Sequence, residues 1–212
     1  MDTIYNSQAG QDQYIELITK NKKNGFFLEI GTNHPVNINN TFNLEKMNKW
    51  RGLMVEYDPM WADYYKAVRP DSIFEINDAR NIDYKTILEK NSYPTNMDYL
   101  QIDLEVENGS TIQTLEHLNN TILSKYKFAS VTFEHDIWKG DHHNTRVRSR
   151  EIFESRGYVL LFPDLTNQGY VFEDWYVHPD LVDMNWLSNV KQSRGAEWKA
   201  VIQLLRTTQP KN

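Results

Sequence analysis

The chain has 212 residues, 40% of them hydrophobic, which suits one medium-sized domain built round a single core. A formal net charge of −6 argues against a nucleic-acid surface or an anionic membrane as the main partner, and the absence of cysteine excludes disulfides, thiolate metal sites and cysteine nucleophiles. The N-terminal stretch has neither a basic start nor an apolar signal core, and no apolar run reaches membrane-spanning length, so a soluble, cytoplasmic protein is expected.

The chain alternates short apolar runs with amphipathic stretches. A helix over 12–21 precedes the first strand, "FFLEIG" at 26–31. Helix 42–50, strand 52–57, helix 60–68, strand 72–77, helix 84–90, strand 98–103, helix 110–124, strand 129–135 and helix 146–156 follow in turn. Continuous apolar strands separated by helices predict a doubly wound α/β domain with a mostly parallel sheet. After "GYVLLFP" at 157–163 comes "YVFEDWYV" at 170–177 with no helix between them, which predicts a C-terminal antiparallel hairpin. A single domain over 1–212 is expected, with a cap-helix region at 1–24, a core at 25–180, a helical tail at 181–212 and a frayed end at "RTTQPKN".

Ligands of open α/β sheets bind outside the carboxyl ends of the strands, and each of the first five strands places an acid there. They are Glu29, then Glu56 beside Tyr57, then Asp78, then Asp103 and Glu105, then Glu134 and Asp136 flanking His135. Glu56 occupies the position from which a carboxylate grips a ribose diol. One glycine, Gly31, stands where a pyrophosphate-binding turn needs three. A ribose-bearing ligand without phosphates fits this turn, and S-adenosylmethionine is one: Gly31 would admit its methionine portion and Glu29 would face its amino group.

The segments "SQAGQD" (7–12), "FLEIGTN" (27–33), "NNTFNLEK" (39–46), "WRGLMVEYDP" (50–59), "DYLQIDLE" (98–105) and "FEHD" (133–136), with the closing "GYVLLFPDL…EDWYVHP", resemble the FkbM-type S-adenosylmethionine-dependent methyltransferases. The resemblance covers about residues 7 to 180. It implies a class I (Rossmann-like) methyltransferase fold and methylation of hydroxyls on sugars or secondary metabolites. The family's Asp-Gly pair after the first motif is replaced here by Asn33-His34-Pro35. The resemblance also implies cofactor contacts from Gln8, Gln11, Asp12, Glu29, Gly31, Thr32, Asn33, Asn40, Thr41, Glu56, Tyr57, Asp78, Ala79 and Asp103. For Ser7 and Asp12 a helix-capping role is an equal alternative.

Methylating a neutral hydroxyl requires a general base or a metal ion. His135 is the expected base, with Asp103 beside it; Asp103, Glu134 and Asp136 are the alternative, as hard ligands for Mg2+ or Mn2+. Strand alternation sets these against each other, since His135 points away from Glu134 and Asp136. Glu105, Trp138, Glu173, Asp174 and Trp175 are expected at the acceptor, with Tyr176 and His178 near the same edge. Arg146 and Arg150 form a solvated helix face or bind a phosphate, and His142-His143 reads as a helix entry. The expected partner is a carbohydrate acceptor, such as a deoxyhexose, and not nucleic acid or membrane. The readings of a complete gene product and of one domain of a larger glycan-modifying enzyme both stay open. The alternatives are a metal-dependent glycosyltransferase using Asp103-x-Glu105 and a non-catalytic sugar-binding module.

Overall fold

The computed structural model describes residues 5–190 and 193–210. Seven strands, β1 (Phe26–Ile30), β2 (Arg51–Glu56), β3 (Ile73–Ile76), β4 (Asn96–Ile102), β5 (Lys127–Glu134), β6 (Val159–Asn167) and β7 (Tyr170–Val177), form one sheet in the order β3-β2-β1-β4-β5-β7-β6. β1 to β5 pair in parallel, and β7 runs antiparallel to both β5 and β6. This is the expected α/β architecture with its C-terminal hairpin. Gln168 and Gly169 close that hairpin, both with positive φ, as a two-residue turn requires. Pro163 falls within β6, where an edge strand can tolerate a missing N–H.

Alternate strand residues feed two cores. Leu28, Ile30, Leu53, Val55, Leu100, Ile102, Val131 and Phe133 pack beneath α4 (Tyr84–Lys90), α5 (Ser110–Thr121) and α6 (His143–Ser155). Phe27, Met54, Tyr99 and Trp175 face α1 (Gln11–Ile18), α2 (Phe42–Asn48), α3 (Ala62–Val68) and α8 (Trp198–Thr208). A short helix, α7 (Met184–Leu187), lies between the hairpin and α8. The helix over 84–90 falls where the sequence places it, and α6 begins at His143 with His142 as its N-cap. The expected frayed end is helical through Thr208, because Leu205 is fully buried in the second core. Lys211 and Asn212 lie outside the described residues.

The segment between β1 and α2 carries no regular structure of its own. It is held by Arg69, which is buried at the end of α3. The guanidinium donates to Glu45 Oε2 (2.9 Å), to the Pro35 carbonyl (3.2 Å), to Asn39 Oδ1 (3.1 Å) and to Thr41 Oγ1 (2.7 Å). Ser72 Oγ donates to the same Glu45 oxygen at 2.5 Å. Both charged side chains are fully buried, so removing one strands the other in a medium that cannot solvate it. Arg69→Met should therefore destabilise the protein by about 3–5 kcal/mol, read as a lower urea midpoint at unchanged m-value.

Candidate active site

The strand order reverses between β1 and β4, and a cleft of about 970 Å³ opens at the carboxyl ends of the parallel strands there. Gly31 (φ +83°) turns the chain out of β1. A Cβ on it would lie 1.7 Å from the Asp103 carbonyl oxygen, so the glycine is demanded first by the neighbouring strand end.

At the β2 side, Glu56 lines the cleft but already accepts three backbone N–H groups: Asn33 (2.7 Å), Tyr57 (2.8 Å) and Asp58 (2.9 Å). A carboxylate offers about four lone-pair sites, which leaves room for one further donor. Asp78 is forked by Arg80 at 2.6–3.1 Å, and Ala79 and Arg80 line the wall beside it. Tyr57, Trp61, His34 and Ile38 form an apolar lip. His34 Nδ1 accepts the Val36 and Asn37 N–H groups, which closes the turn that replaces the expected Asp-Gly pair. Glu29 reaches the cleft while accepting from Thr41 Oγ1 (2.9 Å) and Asn39 Nδ2 (3.4 Å); burial raises its pKa against the opposing charge of Arg69.

At the other end Gln101, Asp103, Glu105, Glu134 and Lys139 line the cleft. Burial raises the pKa of both Asp103 and Glu134, and for Glu134 the negative charge of Asp103 and a hydrogen bond between the two add to it. Both acids are pushed toward the protonated form, Glu134 further than Asp103. Behind them Glu173, the cross-strand partner of Glu134, is pushed up to about 8 by burial and by Asp103. Glu173 accepts from Trp175 Nε1 (2.6 Å) and Gln11 Nε2 (3.1 Å).

Several expected site residues lie elsewhere. His135 shares the face of Phe133 and is fully buried, with Nε2 3.4 Å from Asp174 and 3.7 Å from Asp164. It does not line the cleft, because β5 turns it toward the α6 side of the sheet while Glu134 faces the cleft. Asp174 is likewise buried, paired with Arg150 at 2.8 Å; Trp175 is stacked on Tyr14 at 4.3 Å; Glu173, Tyr176 and His178 are also buried. None of these side chains lines the cleft. Arg146 and Arg150 are neither a solvated face nor free for phosphate, since both pair with Asp164. Asp12 accepts from the N–H groups of Asn6 and Ser7 and from Ser7 Oγ, which pins the segment before α1 without capping the helix, whose N-cap is Gly10; Gln11, Asn40 and Thr41 lie behind the wall, and of the "SQAGQD" segment Gln8 lines the cleft.

Of the expected metal triad, Glu134 hydrogen-bonds both Asp103 and Asp136, but the three do not converge closely enough to hold an ion. Asp136 (φ 45°) leaves the strand, accepts Trp138 Nε1 at 2.9 Å and pairs with Lys139. Trp138 stands exposed against Tyr170 and outside the cleft lining. Among the described residues, the set of three close enough to hold an ion is His135, Asp164 and Asp174. The guanidiniums of Arg146, Arg150 and Arg194 already occupy its acids. Gln101 and Lys139 were missed by the sequence reading. The alternation that puts Gln101 on the face of Asp103 was the available signal for the first; nothing local marks the second.

No family model and no curated protein matches the chain. Solved structures match it in fold. A TehB-like SAM-dependent methyltransferase from Corynebacterium glutamicum superposes with a TM-score of 0.51 at 14% identity, over 82% of this chain and 89% of the other. A putative rRNA-methylase from Clostridium thermocellum superposes with a TM-score of 0.52 at 14% identity, over 82% and 97%. The architecture is thus the class I methyltransferase fold.

The position of Glu173 makes stability depend on pH. Its carboxyl is raised from 4.5 to about 8, so the folded protein keeps a proton that the unfolded chain releases. That contribution is complete below the ordinary carboxyl range and is lost as pH rises toward 8. Glu173→Gln, which mimics the protonated acid, should flatten the decline in urea stability between about pH 5 and pH 8 by a few kcal/mol.

Proposed function

We propose that the chain is an S-adenosylmethionine-dependent O-methyltransferase of FkbM type, acting on a carbohydrate hydroxyl. The observation that carries this is the continuity of one cleft from Glu56, across the Gly31 turn, to the Asp103–Glu134 pair, at the switch point of a class I methyltransferase fold. The likeness in fold to a TehB-like SAM-dependent methyltransferase supports it.

The residues fit such a cofactor. Glu56 retains acceptor capacity for a ribose hydroxyl, Gly31 and Glu29 border the methionine portion, and Tyr57, Asp78 and Ala79 border the base. The cofactor would supply an electrophilic methyl group on a sulfonium. The chain supplies the base: Glu134, the more basic member of the Asp103–Glu134 pair, accepts in its ionised form the proton of the acceptor hydroxyl. This pair takes the role expected of His135. The acids lining the cleft also disfavour a polyanionic acceptor such as the RNA implied by the name of the Clostridium neighbour.

Glu56→Ala should weaken binding of S-adenosylhomocysteine by about 10-fold to 100-fold in titration calorimetry. Equal affinity for variant and wild type would remove Glu56 from the ribose site. Glu134→Gln should lower kcat for labelled methyl transfer to methyl glycosides by about 10²–10⁴-fold while leaving S-adenosylhomocysteine affinity unchanged. Transfer to RNA but to no sugar counts against the acceptor class.

A further inference from the structure

We propose that the cleft floor formed by Gln101, Asp103 and Glu134 is a subsite for a protonated amine carried by the acceptor. The inference rests on the methyltransferase reading of the cleft and adds to it the charge of the molecule that is methylated.

The floor is built from acceptors. Gln101 is 4% exposed and lines the cleft, yet its Oε1 has no hydrogen-bond partner, while its Nε2 is directed at Asp103 Oδ2 at 3.5 Å. A buried amide oxygen left unpaired is costly, and this one belongs to a side chain that lines the cleft. Asp103 and Glu134 lie beside it on the adjacent strands β4 and β5. A primary ammonium has three N–H donors, and this floor presents one amide oxygen and two carboxyl groups to receive them. A neutral hydroxyl would satisfy one of these acceptors and leave the negative potential of the others unopposed.

The cations of the cleft do not meet this demand. Lys139, at the same end, is held on Asp136, and Arg80, at the far end, is forked onto Asp78. A divalent ion fits less well than an ammonium, because Asp136 is turned onto Lys139 and only two carboxyl groups remain at the floor. The amino group of the methyl donor has Glu29 on the β1 side of the Gly31 turn, which leaves the β4–β5 floor to the acceptor. An ammonium at Gln101 and Asp103 also favours the ionised form of Glu134, so the base is unmasked when an amine-bearing acceptor is seated.

The test titrates the full chain, saturated with S-adenosylhomocysteine, with ethanolamine and methyl glucosaminide and with their hydroxyl counterparts, ethylene glycol and methyl glucoside. The amines should bind about tenfold or more tightly than their counterparts at neutral pH. Gln101→Leu and Glu134→Gln should each erase most of that preference without changing S-adenosylhomocysteine affinity; Gln101→Met, of similar length, replaces the leucine variant if that one fails to fold. Equal binding of amine and counterpart, no binding by either amine, or a matching loss of S-adenosylhomocysteine affinity in the Gln101 variant would overturn the proposal. If S-adenosylhomocysteine does not bind while amine preference persists and depends on Gln101, the methyltransferase reading falls and the subsite stands.

Discussion

The cleft exists because Arg69 is buried. The segment from Thr32 to Thr41 has no ladder of backbone hydrogen bonds to keep it in place, yet it forms one wall of the site and carries Asn33 and His34 into it. Arg69 substitutes for that ladder by donating to the Pro35 carbonyl, to Asn39 and to Thr41. Asn39 and Thr41 in turn donate to Glu29, so the same guanidinium reaches the β1 side of the cleft through one intermediate. An apolar side chain of equal volume could fill the space, but it could not specify the loop conformation. A planar cation with five donors in a fixed fork can.

A second constraint is the alternation of side chains at the end of β5, which sorts two ionic systems onto opposite faces. Glu134, Glu173 and Gln101 lie toward the cleft side, where burial leaves their acids with more protons than ordinary carboxyls hold. His135 and Asp174 lie on the other face, where burial opposes ionisation but the close approach of His135 and hydrogen bonds from Arg150 outweigh it and keep Asp174 far below the ordinary range. The second system joins α6 to the hairpin through Arg146, Arg150 and Asp164. It braces the hairpin strand that carries Glu173, and its histidine is a structural group. One residue of register separates a proton-holding acid from a buried ion-pair partner.

Much of this fold was legible in the sequence because each strand is an unbroken apolar run and each crossover has helical periodicity. The helix over 84–90 and the entry at His142-His143 follow from local signals. Strand ends were legible for the same reason, and Glu29, Glu56, Asp78, Asp103, Glu105 and Glu134 all reach one cleft. The partners of those residues were not. Asp174 is satisfied by Arg150, 24 positions away, and Gln11 by Glu173, 162 positions away, so nothing near either residue reveals that it is spoken for. Trp175 reads as an acceptor-stacking residue until Tyr14 is brought onto it from α1. The misplacement of His135 differs in kind. Alternation along β5 already turned it away from Glu134, and its attractive unperturbed pKa outweighed a geometric argument that was correct.

The acidic character of the chain gains meaning from where the acids sit. A net charge of −6 over 212 residues is a weak field when spread over a surface screened by salt. Inside the cleft the same charges are concentrated: Glu29, Glu56, Asp78, Asp103, Glu105 and Glu134 line it, against Lys139 and Arg80. Low-dielectric walls strengthen that field and limit its screening, so it acts on entry as well as on binding. Three of these acids are partly silenced, Glu56 by backbone donors, Asp78 by Arg80, and Glu134 by the burial and neighbouring charge that raise its pKa. Asp103 and the unpaired oxygen of Gln101 are the acceptors left at the floor, beside Glu134, whose carboxyl burial and the charge of Asp103 push toward its protonated form. Selection against anions is therefore a property of the whole cleft, whereas selection for a cation is confined to the ends of β4 and β5.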